Sequence, residues 1–184
     1  MYQIVQAPHA VLSKAAKKVA KIDKNVKAII KEMTETLENA RDPEGVGLAA
    51  PQVGYSLQLF IIKESMSSPV LVFLNPKIIE VIDNPMRKKS KKKNDEDVKL
   101  EGCLSLSNVW GVVTRHDIVT LSYTDLTGKN RTETFKGFLA TIVQHETDHL
   151  HGILFPKRVL EQKGTLYKSK KNDEGETVFE EISL

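Results

Sequence analysis

The run QHETDHLHG, Gln144 to Gly152, constrains the fold more than any other stretch of this chain. His145 and His149 stand four residues apart. On an α-helix that spacing brings both imidazoles out of one face a turn apart, whereas on a strand it would separate them by ~13 Å. The spacing therefore predicts a helix from Gly137 to His151, closed by Gly152. A second helix is predicted over Val26–Ala40, with Asp23 as its N-cap and Val26, Ile29, Ile30, Met33 and Leu37 as its buried stripe.

The other apolar runs read as strands at Leu57–Lys63, Leu71–Leu74 and Ile78–Ile82. A hairpin follows, with Val119–Thr124 and Arg131–Phe135 joined by a turn containing Gly128. Another pairs Thr165–Ser169 with Thr177–Ile182 across a turn at Asn172–Gly175. Residues 1–22 read as irregular or extended, and Gly45, Gly47 and Gly54 place LAAPQ in a loop. The expectation is an α+β fold, short antiparallel strands packed around a central helix that bears the HExxH run, in one domain over residues 1–184.

Between strands and chemistry lies a polar, Lys-rich insertion at about 83–99, a basic block followed by an acidic one, which reads as solvated loop. Its stretch Arg87–Lys93 carries six positive charges in seven residues and could steer the protein toward a negative surface such as the ribosome. A formal net charge of +3 is too small to argue for recognition of a nucleic-acid sequence. Apolar runs such as Leu57–Ile62 are too short to cross a bilayer, and the N-terminus carries no targeting pattern. With a single cysteine, Cys103, the chain forms no internal disulfide, which fits a reducing cytoplasm.

The two histidines offer two nitrogens to one metal, and Glu146 sits beside the first, placed to act as base toward water at that ion. A third ligand is needed. A third histidine ten residues after His145 would suit one class of zinc peptidase, but that position is Phe155. A downstream glutamate would suit another, but Glu174 and Glu176 lie in a polar turn. Cys103, in EGCLSL, supplies a thiolate, and one thiolate with two imidazoles leaves a fourth position open. Phe138, Thr141 and Ile142 lie on or near the His145 face and read equally as core or as pocket lining, with Val46 as an opposite wall.

GVGLAAPQVG (Gly45 to Gly54), EGCLS (Glu101 to Ser105) and QHETDHLHG, in that order, resemble the three signature motifs of peptide deformylases, and the likeness extends over about residues 1–160. The resemblance implies a hydrolase that removes the N-formyl group from the initiator methionine of nascent polypeptides and releases formate. It implies one divalent metal on Cys103, His145 and His149, with Fe2+ the usual ion and Zn2+, Ni2+ or Co2+ able to replace it. Glu146 would be the acid and base, while the Gln52 amide and the Leu104 N–H would face the substrate carbonyl. Gly47 and Gly102, inside the first two motifs, are expected to border the substrate. The implied partners are N-formyl-methionyl peptides and, transiently, the ribosome.

Two positions depart from the family pattern: Ser107 stands where proline is common, and Trp110 where arginine is frequent. Both concern peptide preference rather than the chemistry. A zinc endopeptidase would need a third ligand other than Cys103. A metal-stabilised adaptor for ribosomes or RNA would need neither Glu146 nor Gln52.

Overall fold

The computed structural model describes residues 1–40, 45–65, 67–83 and 100–182. The Lys-rich stretch at 84–99, and with it Arg87–Lys93, lies outside the described residues.

Helix α1 spans Lys24–Asn39. The Asp23 carboxylate accepts the Val26 N–H at 3.0 Å, so the expected N-cap satisfies one of the first turn's free donors. Val26, Ile29, Ile30, Met33 and Leu37 are all buried, as their spacing requires.

Five antiparallel strands make the larger sheet, in the order β1 (Gly47–Ala49), β2 (Leu59–Ile62), β3 (Leu71–Ile82), β6 (Ile118–Thr124) and β7 (Asn130–Lys136). The smaller sheet runs β4 (Glu101–Cys103), β5 (Leu106–Gly111), β8 (Leu166–Lys171), β9 (Thr177–Glu181). Thus β1 and β4 are both edge strands. Every side chain of β2 is buried because the sheet is covered on both sides. Leu59 and Ile61 pack with the α1 stripe, while Phe60 and Ile62 pack with Phe73, Leu121, Ile142 and Val143. The last two belong to helix α2, Gly137–Leu150. A third cluster, Cys103, Phe155, Val159 and Leu166, joins the smaller sheet to helix α3, Phe155–Glu161.

Three sequence expectations change. The two strands predicted at 71–74 and 78–82 are the single strand β3, whose register shifts carry it past Pro76, a residue with no N–H for the ladder. Asn75 adopts φ 50° there, and its amide is held by the Val19 N–H and C=O at 2.8 and 2.9 Å. The LAAPQ loop contains β1 and a 3-10 turn, Ala50–Val53, ended by Gly54 at φ 89°. Strand β5 and helix α3 were not expected at all.

Helix α2 ends as predicted, at a glycine. Gly152 takes φ 69°, and a Cβ there would stand 2.6 Å from the Ser13 carbonyl carbon, so both conformation and close approach require the missing side chain.

Candidate metal centre and active site

Cys103 ends the edge strand β4, and His145 and His149 project from α2, so the donors come from two elements far apart in sequence. Their ligand atoms all lie within 4.8 Å of one another. Cys103 Sγ is 3.2 Å from His149 Nε2, and the Gln52 amide donates to the same sulfur at 3.5 Å. The His145 Nδ1 is taken by Glu101 Oε1 at 2.6 Å, which orients the ring and leaves Nε2 to serve as its donor atom.

Electrostatics favour a cation here. Burial works against charge on His145, but the Cys103 sulfur and the Glu101 carboxylate outweigh it and hold its pKa well above the ordinary value. Burial, with His145 alongside, pushes His149 well below its own. One sulfur and two imidazole nitrogens gathered this closely form a donor set suited to one soft-to-borderline metal ion.

Glu146 is 3% exposed, and among the described residues its Oε2 has no hydrogen-bond partner. Burial, opposed by His145, pushes its pKa up to about 7. The neighbouring β1 makes room for this carboxylate: a Cβ on Gly47 would overlap Glu146 Oε1 and crowd Ile142 Cγ2. His149 Nδ1 and Ser105 Oγ are likewise buried without partners. Buried polar atoms are normally satisfied, so an orphan on Glu146 and another on the donor residue His149 mark a place where ligands and reacting groups belong.

Gln52, 1% exposed, is anchored by its side-chain carbonyl, which accepts the Ala49 N–H at 2.8 Å, and this aims the amide at Cys103. Leu104 follows Cys103 directly, and its carbonyl accepts from the Gln6 amide at 2.9 Å. Of the expected pocket residues, Ile142 is buried in the first core cluster with Val46 packed against it, Thr141 is half-buried, and Phe138 is exposed. Gly102 lies under the Trp110 ring, 2.7 Å from where its Cβ would be, and the indole N–H donates to Ser169 at 3.0 Å. Ser107 donates to Gln6 at 3.1 Å.

Sequence reasoning missed the charge network behind the histidines. Arg115 donates to both Glu101 oxygens, at 3.1 and 2.7 Å, and to Asp148 at 2.6 Å. Arg158, from α3, donates twice to Asp148, at 2.6 and 3.1 Å. Burial raises the Glu101 pKa, but His145 and Arg115 more than offset it and bring it down to about 2. Glu101 and Asp148 stand inside the quoted motifs, so acidic residues beside metal donors were the available signal.

A fold in which a sheet edge and a helix bring one thiol and two imidazoles together beside a buried carboxylate defines a metal-dependent hydrolase. The polypeptide deformylase family profile matches residues 1–164. This chain belongs to that family. It is 35% identical over 170 residues to a peptide deformylase of Desulforudis audaxviator, covering 92% of this chain and 98% of the relative. It is 37% identical over 172 residues to one from Dehalococcoides mccartyi, covering 94% and 93%. Among solved structures, the peptide deformylase of Thermotoga maritima matches with a TM-score of 0.71 at 34% identity, covering 86% of this chain and 97% of the other. That of Synechococcus elongatus, solved in complex with actinonin, matches at 0.74 and 36%, covering 85% and 79%.

Proposed function

We propose that this chain hydrolyses the formyl group from N-formyl-methionyl peptides with Cys103, His145 and His149 holding one metal ion and Glu146 moving the proton. The observation that carries the reading is the buried, unpartnered Glu146 oxygen next to a donor cluster. When bound, such an ion polarises a carbonyl oxygen and acidifies water.

The chain's own residues then divide the work. Water adds to the formyl carbon as Glu146, close to neutrality in its pKa, accepts the proton. The carbonyl oxygen becomes negative and is held by the Gln52 amide and the Leu104 N–H. Glu146 passes its proton to the amine nitrogen, the C–N bond breaks, and formate and a free N-terminus leave. Gly47 and Gly102 border the peptide, the space of a side chain at each being taken by Glu146 and by the Trp110 ring, and Val46, Phe138, Thr141 and Ile142 receive the methionine side chain.

The reading extends to α2 as the central element of the fold and to residues 1–184 as one domain, with 83–99 as an insertion. In the cell the ion is ferrous, replaceable by Zn2+, Ni2+ or Co2+, and the enzyme works in the cytoplasm. Among the described residues no helix is long and apolar enough to cross a membrane. The six positive charges of 87–93 support a transient, salt-sensitive contact with the ribosome.

Formate release from formyl-Met-Ala-Ser by anaerobically prepared protein, with metal analysis of the same sample, tests the core of this reading. One metal per chain and formate release are expected; metal without formate would overturn it.

A further inference from the structure

The three donor residues are not held by their own elements alone. Glu101, two residues before Cys103, binds the His145 ring; Asp148 immediately precedes His149; Arg115 bonds to both carboxylates. One buried guanidinium therefore joins the strand that carries the thiol to the helix that carries the imidazoles. Asp148 in turn is gripped from the other side by Arg158, whose Nη2 and Nε meet Oδ1 and Oδ2 in a two-pronged bond. Arg158 belongs to α3, packs no donor atom of its own toward the metal cluster, and has a side chain one-third exposed.

We propose that Arg158 is a positioning residue for the metal centre: by saturating Asp148 it leaves Arg115 shared between Asp148 and Glu101, which keeps the His145 ring turned toward the ion. The inference rests on the donor assignment made above. The physical reason is competition for one fork. Arg115 serves two carboxylates at once. Asp148, with both oxygens deprived of Arg158, becomes the stronger claimant on Arg115, being buried and left with one of its three arginine bonds. Any turn of Arg115 toward Asp148 lengthens its bonds to Glu101, and Glu101 is what holds His145 Nδ1 at 2.6 Å. The effect of Arg158 reaches a metal ligand through four contacts in series, of which the last three, from Asp148 through Arg115 and Glu101 to His145, are between side chains shielded from water.

The test is metal retention rather than turnover. Cobalt-loaded wild type, Arg158→Gln, Arg158→Lys and Glu161→Gln are mixed with excess chelator, and loss of the visible cobalt–thiolate absorption is followed. Arg158→Gln should release metal roughly 10- to 100-fold faster, with a shifted absorption band and an unchanged KM for a short formyl peptide. Arg158→Lys, which keeps the charge but not the fork, should fall between the two. Glu161→Gln removes only the outer partner of Arg158, at 3.1 Å, and should release metal like wild type.

Release by Arg158→Gln at the wild-type rate with the wild-type spectrum overturns the proposal. If that variant does not fold, Arg158→Lys decides, since wild-type behaviour there is equally fatal. Wild type that binds no cobalt at all would instead sink the donor assignment, and the positioning role with it.

Discussion

Glu146 and Asp148 are two residues apart on the same helix, both almost fully buried, and their surroundings treat them oppositely. Two residues turn a helix by ~200°, so the carboxylates leave opposite faces. Glu146 has an oxygen without a partner, and burial raises its pKa to about 7. Asp148 takes three bonds from two arginines, which outweigh burial and lower its pKa. The contrast separates a group kept ready for a proton from a group kept permanently charged as structure. Around them the same division holds. Gln144, on the saturated side, uses both ends of its amide on His116 and Ala140, whereas His149 leaves Nδ1 unmatched.

The sharpest way to break this contrast is Glu146→Gln, which keeps the volume and removes the base. Turnover should fall by roughly 10²-fold or more while metal content stays unchanged. Near-normal formate release would mean that the orphaned oxygen carries no proton in the reaction.

Gly47→Ala probes the space that the carboxylate needs. The new methyl would overlap Glu146 Oε1, and the carboxylate must move. Activity should drop by about 10- to 100-fold, since small displacements of a catalytic group are costly. Full activity in the alanine variant would show that Glu146 does not depend on that opening.

Opposite pKa shifts also predict opposite pH limbs for the stability of metal-free protein. Glu146 has a folded-state pKa of about 7 against an ordinary 4.5, so its contribution is complete below 4.5 and lost as pH rises through 7. Glu101 lies at about 2 against the same 4.5, so its contribution is present above 4.5 and lost as pH falls toward 2. Urea midpoints across this range should trace both limbs, the upper one amounting to up to roughly 3 kcal/mol. In Glu146→Gln the upper limb should shrink, leaving the part that the raised His145 contributes, while the lower limb remains. An upper limb of undiminished size in that variant would assign the whole alkaline loss to another group.

The smallest effect belongs to Gln144→Ala, on the saturated side. It strands the His116 N–H and two carbonyls that the amide now serves, and should cost about 1–3 kcal/mol of stability with kcat unchanged. A large loss of kcat in well-folded Gln144→Ala would erase the distinction between the two faces.

The likeness of the chain to its family was legible because the motifs are dense local statements. HETDH carries its own geometry once helical, Gly152 its own positive φ, and Asp23 its own cap, all through bonds between residues close in sequence. Helix α1 was readable for the same reason, as apolar spacing over four turns repeats one message. Helix α3 was not, although Phe155, Pro156 and Val159 bore the signs of a short helix: a proline in the first turn and an apolar pair four apart. Seven residues repeat a period too few times to stand out. Strand β5 escaped because Ser107 and Asn108 interrupt its apolar run, and its pairing with β4 and β8 supplies what its composition does not.

The sequence by itself determined which residues offer sulfur, imidazole and carboxylate, and that two imidazoles share one helical face. Only the tertiary structure decided their company. It placed Cys103 at a sheet edge against α2, and it put Gly47 under one oxygen of Glu146. It also gave Arg115 and Arg158 to Asp148 but no partner to Glu146 Oε2. Local spacing encodes direction through the regular geometry of the backbone. Whether a buried charge is matched depends on groups on other elements, ten and 33 residues away for Asp148, which no local pattern can specify.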